Sequence, residues 1–158
     1  MSGFRIAPAR PSEPQARALI ARHVAQMAAQ SPEESCHVLD LSGLEVPQVD
    51  FYLLWQGDQA IAMGALKALS NGGVELKSMH TVSEARGTGA GRAMLEHLMA
   101  LARERGADAI YLETGSTDDF LPARKLYERY GFVVSTPFEG YDHDPWSVFM
   151  TLDLTPGA

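Results

Sequence analysis

Cysteine is almost absent: Cys36 is the one thiol in 158 residues. An intrachain disulfide is therefore excluded, and the chain suits a reducing compartment. Long apolar runs are absent too. Residues 1–10 carry no apolar signal-like core, and no stretch approaches the roughly 20 residues that span a bilayer. These absences point to a cytoplasmic protein with no membrane partner. Basic residues are scarce, with 13 Lys and Arg against 20 Asp and Glu and a net charge of −7. A nucleic-acid partner is not expected on that balance, and a cationic or neutral substrate is favoured. What remains is ordinary: 46% hydrophobic residues, and a length that suits one domain, residues 1–158, with a substantial core.

Glycine is concentrated where it carries information. In Val82-Ser83-Glu84-Ala85-Arg86-Gly87-Thr88-Gly89-Ala90-Gly91-Arg92, glycines alternate at 87, 89 and 91. The stretch joins a strand-like run, 74–82, to a helix-like run, 91–105. Glycine permits positive φ and close approach of a ligand to the backbone. A helix start offers unpaired N–H groups and the positive end of a dipole. Together they make an anion site suited to phosphate or pyrophosphate. A P-loop is excluded, because no Lys-Ser/Thr pair follows these glycines. The dinucleotide fingerprint Gly-x-Gly-x-x-Gly fails as well, since its last position falls on Arg92. Glu113 alone sits near the offset of a ribose-binding acid.

The arrangement that fits is Arg86-x-x-Gly89-x-Gly91. It resembles the Gln/Arg-x-x-Gly-x-Gly/Ala pyrophosphate loop of the GNAT superfamily, the acyl-CoA-dependent N-acyltransferases. A second block strengthens the likeness. Ala123-Arg124-Lys125-Leu126-Tyr127-Glu128-Arg129-Tyr130-Gly131-Phe132 resembles the GNAT pattern Ala-x-x-Leu-Tyr-x-x-x-Gly-Phe. Tyr127 lies 41 positions after Arg86, with one strand, 109–113, between them. The resemblance covers residues 51–154 well.

Periodicity supplies the elements. A first strand is expected at 4–7. Leu19, Ile20, His23, Val24 and Met27 recur at helical spacing within 14–30. Residues 31–48 read as irregular, broken by Ser31-Pro32, Ser42-Gly43 and Val46-Pro47. Strands at 49–55 and 59–69 flank Gly57-Asp58, a hairpin signal. Asn71-Gly72-Gly73 turns the chain into strand 74–82. After the glycine loop, Leu95, Leu98, Met99 and Ala102 mark one apolar helical face, and Gly106 ends that helix. Strand 109–113 follows. Asp118 or Asp119 is expected to cap the helix that holds Tyr127, and Gly131 to end it. Strands 132–136 and 147–154 close the chain. The pattern is mixed α/β, a mainly antiparallel meander with one crossover after the glycine loop. The resemblance implies a twisted, mostly antiparallel central sheet of about 6–7 strands flanked by about four helices.

The resemblance also implies a reaction: transfer of an acetyl group from acetyl-CoA directly to a primary amine of a small molecule or peptide, in a ternary complex. An alkylammonium, with a pKa of about 10, cannot attack a thioester until it loses a proton. Such an enzyme must therefore remove that proton, stabilise an oxyanion and protonate the departing thiolate. Glu75 lies 11 residues before Arg86 and matches the glutamate that serves as base in some members. Its competing reading is a surface Glu paired with Lys77. Tyr127 matches the general acid, or packs with Ala123, Leu126 and Tyr130. Backbone groups of Met79, His80, Thr81 and Val82 are implied along the pantetheine arm and at the oxyanion. Arg86, Gly87, Thr88, Gly89, Ala90, Gly91 and Arg92 are implied at the pyrophosphate. His80 or a water relay is the alternative base. One departure stands out: Phe120 occupies the place, seven residues before Tyr127, where many relatives carry Asn.

The acceptor is not named by the sequence. Two segments match its location in the family, 31–37 and 138–146; both also read as solvated loops. Asp142-His143-Asp144 is a weak metal pattern, and the chemistry needs no metal. Cys36 is a poor nucleophile candidate, with only adjacent His37 beside it. The chain is expected as a monomer or homodimer. Two other readings compete with the transferase. One is a non-catalytic acyl-CoA-binding regulatory module, supported by Phe120. The other is a nucleotide-binding oxidoreductase, for which too little chain follows Phe132.

Overall fold

The computed structural model describes residues 3–30, 41–138 and 141–155. The expected acceptor segment 31–37, with Cys36, lies outside them, as do residues 139 and 140. The elements in order are β1 (Phe4–Pro8), α1 (Pro14–Gln30), α2 (Leu41–Leu44), β2 (Val49–Gln56), β3 (Gln59–Ala68), β4 (Val74–Thr81), α3 (Ala90–Glu104), β5 (Ala109–Gly115), α4 (Leu121–Arg129), β6 (Val133–Ser135) and β7 (Ser147–Asp153). The seven strands form one sheet in the order β1-β2-β3-β4-β5-β7-β6. All neighbours are antiparallel except β4 and β5, which are parallel. The mixed class and mostly antiparallel sheet are those the sequence implies. Among the described residues three helices exceed one turn, against the expected four or so; α2 is a single turn inside a stretch read as irregular.

Local chemistry explains most boundaries. Pro14 opens α1, where its missing N–H costs no helical bond. The β2–β3 hairpin turns at Gly57, with φ of +62°, between paired Gln56 and Gln59. Gly106 and Gly131, with φ of +71° and +97°, follow α3 and α4 as expected. The start of α4 corrects the expectation. Asp118 and Asp119 sit in a 3-10 turn, and Phe120 occupies the N-cap with no side-chain bond. Pro122 in the first turn fixes the helical φ there instead.

The core lies where α3 meets β3. Met94, Leu95, Leu98 and Ala102 are fully buried. Close approach depends on Gly64, where a Cβ would come within 2.8 Å of Met94 Cγ and 2.9 Å of Leu98 Cδ1 and Met79 Sδ. The opposite sheet face receives α1, through Ala16, Leu19, Ile20 and His23.

One irregularity positions the site. Residues paired across an antiparallel ladder share a face. Lys67, Ala65 and Met63 alternate along β3, and their partners are Glu75, Lys77 and His80. The partner numbers advance by two, then by three. A bulge takes up the extra residue at Ser78, whose φ is +56°. Strict alternation would have put Met79 beside Glu75 and Lys77. The bulge brings His80 to that face and sends the Met79 sulfur toward Gly64 and α3.

Candidate active site

Strands β4 and β5 pair at only two positions, Val74–Ile110 and Glu75–Tyr111, before they part. The gap opens into a cavity of about 940 Å³. Its walls come from β4, β5, the glycine loop, α4, α1 and Tyr141.

On the β4 wall, Glu75 and Lys77 are both buried and pair at 2.9 Å. Lys77 Nζ also donates to the Tyr141 hydroxyl at 2.8 Å. That hydroxyl donates in turn to Glu75 Oε2 at 2.6 Å. Burial, then the Glu75 charge, pushes the Tyr141 phenol far above its ordinary value, so it stays protonated and can only be the donor to a carboxylate. Among the described residues both bonds go to Oε2, and Oε1 accepts none. The expected pairing of Glu75 with Lys77 is thus present, but in a buried cavity wall and not on the surface. Behind Tyr141, its ring packs 4.9 Å from Phe138 and 5.6 Å from Phe149. The 138–146 segment therefore reaches the cavity through Tyr141.

Beyond the bulge, His80 meets His23 of α1. Their Nδ1 atoms are 3.3 Å apart, and the rings meet edge to face at 5.3 Å. Both side chains are buried, at 6% and 7% exposure. Burial first, then the partner ring, pushes His23 down to about 4. Burial first, then the positive charges of Arg86 and Arg22, pushes His80 to about 4. Both rings are therefore neutral near pH 7. His80 Nε2 is buried and has no hydrogen-bond partner among the described residues.

The glycine loop ends the cleft. Gly87 and Gly89 have φ of +82° and +90°, and nothing lies within 4 Å of where a Cβ would stand on either. Gly89 is the N-cap of α3 and supplies no side-chain cap bond. The first amides of α3, at Ala90, Gly91 and Arg92, have no acceptor within the helix. Arg86 is held by Gln26 of α1 at 3.0 Å. Arg92, Lys125 and Arg129 add positive charge to the same cavity. Open backbone donors ringed by cations fit a polyphosphate such as that of acyl-CoA. Two residues expected here lie apart from the cavity. Val82 is buried and donates its N–H to Ile61, and the Thr88 hydroxyl turns back to the Ala85 carbonyl.

On the α4 side, Tyr127 is buried, lines the cavity, and packs 5.8 Å from Phe132. Burial, then the Glu113 charge, pushes its phenol up to about 12. Tyr127 thus packs, as one expected role requires, and also borders the cleft. Phe120 is buried against Gly115, where any Cβ would collide with its ring. Glu113 also lines the cavity, its Oε2 accepting from Ser147 Oγ at 2.7 Å. The antiparallel sheet offers no doubly wound half for a dinucleotide, so the oxidoreductase reading fails. Among the described residues no cluster of His, Cys, Asp or Glu could hold a metal ion. None of their helices is long and apolar enough to cross a membrane.

Sequence reasoning missed Tyr141 as a partner of Glu75, and His23 and Gln26 as cavity residues. His23 left a signal, a polar residue on the apolar face of α1. Tyr141 falls in the 138–146 segment matched to the acceptor location, but nothing local pairs it with Glu75.

A sheet parted beside a glycine-rich helix start, with Glu75, Tyr127 and Tyr141 on the walls between, is the architecture of an acyl-CoA-dependent acyltransferase. Residues 17–132 match the model of the Acetyltransferase (GNAT) family, and the chain belongs to that family. An uncharacterised N-acetyltransferase of Bacillus subtilis, YsnE, is 43% identical over 136 residues, 86% of this chain and 90% of that one. A Klebsiella pneumoniae structure classed provisionally as an acyl-CoA N-acyltransferase superposes with a TM-score of 0.83 at 29% identity, covering 98% of this chain and 100% of its own. The same fold carries bound acetyl-CoA in a GNAT family acetyltransferase from Elizabethkingia anophelis, with a TM-score of 0.71 at 16% identity and coverage of 98% and 100%.

Proposed function

We propose that this chain, acting as one domain, transfers the acetyl group of acetyl-CoA directly to a primary amine of a small molecule or peptide, within a ternary complex. The observation that carries the reading is the single cleft that joins Glu75, Tyr127 and the glycine loop. The glycine loop and the first turn of α3 hold the pyrophosphate. Backbone groups around Met79, His80 and Thr81, where β4 parts from β5, line the pantetheine arm and donate to the oxyanion. Glu75 removes a proton from the incoming ammonium, directly or through water, and Oε1 is its open atom. Lys77 and Tyr141 fix the other oxygen and so set the direction of the carboxylate. Tyr127 protonates the departing thiolate.

The test has two stages. Calorimetry should detect binding of acetyl-CoA and CoA, and little binding of NAD. A panel of amino acids, polyamines, aminoglycosides and peptide N-termini, read by release of free CoA thiol, should then identify an acceptor. Sound acetyl-CoA binding with no turnover across the panel would favour the regulatory module instead.

A further inference from the structure

The cleft carries a second carboxylate that the chemistry proposed above does not use. Glu113 of β5 is half-buried and lines the same cavity as Glu75 and Tyr127. The ladders put it on the face of Glu75. Tyr111 is the last partner of Glu75 across β4 and β5, and Glu113 follows Tyr111 by two residues, so the three side chains share a face. From the other edge, Phe149 of β7 pairs with Glu113 and packs its ring 5.6 Å from Tyr141, which donates to Glu75. Beyond Tyr111 the two strands part, so Glu75 and Glu113 stand on facing walls of the opening. One strand across and two residues along set their Cα atoms at least roughly 8 Å apart.

We propose that Glu113 selects the acceptor by binding a second ammonium, so that the substrate is a diamine or polyamine whose reacting nitrogen meets Glu75 and whose distal nitrogen meets Glu113. The inference rests on the transferase reading. Ser147 Oγ, donating to Oε2 at 2.7 Å, holds the carboxylate in place without neutralising it. A charge in a half-buried wall costs desolvation, and a cation in the cleft offsets that cost. The charge of Glu113 is felt inside the cleft. After burial it raises the Tyr127 phenol, and after burial and Glu75 it adds to the rise at Tyr141. The cations of the cavity come from the glycine loop, α3 and α4, apart from Lys77, which Glu75 and Tyr141 hold. An acceptor with an anionic tail would therefore set like charge against Glu113, and a neutral tail would gain less than a cationic one.

The transfer step balances as before. The reacting ammonium loses two protons, one ending on the CoA sulfur and one in water, as the C–N bond forms and the C–S bond breaks. The distal ammonium keeps its three protons and its charge. Acetylation turns one end of a diamine into a neutral amide. That product cannot present a cation to Glu113 while its remaining amine faces Glu75, so it is a poor substrate for a second round.

The test compares straight-chain amines of about three to six carbons, the span this backbone spacing allows, ending in a second ammonium, a hydroxyl or a carboxylate. Turnover is read as free CoA thiol near neutral pH. Wild-type kcat/KM should favour the ammonium over the hydroxyl series by roughly tenfold, with the carboxylate series lowest, and mass spectrometry should show monoacetylated diamine accumulating. Glu113→Gln keeps the side-chain shape and an acceptor for Ser147. It should bring the ammonium and hydroxyl series within about twofold of each other, chiefly by raising KM for the diamine. If that variant does not fold, Glu113→Asp is read in its place; it should move the preferred diamine to a longer chain, and an unmoved preference overturns the proposal. A wild type that acetylates amines without favouring diamines sinks the proposal and leaves the transferase intact, as does a folded Glu113→Gln that keeps the preference. Equal losses across the three series would reduce Glu113 to a structural residue and overturn it too. A wild type that acetylates no amine sinks the transferase reading, and this proposal with it.

Discussion

Tyr141 donates to Glu75 Oε2 across 66 positions of chain at 2.6 Å. The bond ties the 138–146 loop to β4, and it does so at the candidate base. Lys77 closes the triangle from two residues along the same strand. A buried carboxylate held this way has one oxygen fixed and one left for chemistry. One interaction thereby sets both the placement of Tyr141 and the direction of the candidate base.

Removing the cation should expose that dependence. Lys77→Met keeps the stem and deletes the ammonium. Glu75 is then a buried carboxylate with one neutral donor. Loss of one member of a buried pair costs about 3–5 kcal/mol. Urea denaturation at pH 7 should register a loss of that order. A loss under about 1 kcal/mol would mean that the pair behaves as an exposed one.

What the sequence revealed, and what it hid, divides by range. The glycines at 87, 89 and 91 announce the loop because positive φ and a helix start are local demands. Gly131 and Phe132 after Tyr127 are local in the same sense, and that helix ended where expected. The cap of α4 was misread because Pro122 set the first turn while the aspartates went into a 3-10 turn before it. The shift of face at Ser78 was hidden, because a bulge is a property of the β3–β4 ladder and not of β4 alone. It decides that His80, and not Met79, stands with Glu75. Tyr141 was hidden for a similar reason, since no periodicity links a loop residue to a strand 66 positions away.

Acid should destabilise the protein through the histidine pair. Both rings sit near 4 when folded, below the ordinary 6.5. Between those values the unfolded chain binds more protons, so stability is full above about 6.5 and falls as pH drops toward 4. The slope from each histidine is at most about 1.4 kcal/mol per pH unit. Urea midpoints across pH 7.5 to 4 should fall in that window. His23→Phe should flatten the fall by keeping the ring and deleting the titration. An unchanged slope in that variant would assign the acid sensitivity to the carboxylates.

Donor binding should hinge on Gly89. Its φ of +90° is strained for any L side chain. The space around it is open to protein atoms and is where a phosphate would approach. Gly89→Val should abolish calorimetric binding of acetyl-CoA while far-UV dichroism retains the helical signal. Binding within about threefold of wild type would move the phosphate site away from the start of α3.

Tyr127→Phe separates packing from proton transfer, because it deletes one hydroxyl and keeps the ring. The contact with Phe132 at 5.8 Å should survive, so melting temperature and acetyl-CoA affinity should barely move. A phenol near 12 is protonated at every working pH, which is the state a general acid needs. Such acids are worth about 10²–10⁴-fold. A thiolate is already a fair leaving group, so the expected loss in kcat is the lower end, roughly tenfold to a hundredfold. The loss should be smaller for an acyl donor whose leaving thiol is more acidic than CoA, because that thiolate needs less help. Wild-type kcat in the variant, or a variant that is only less stable, would leave Tyr127 as a packing residue.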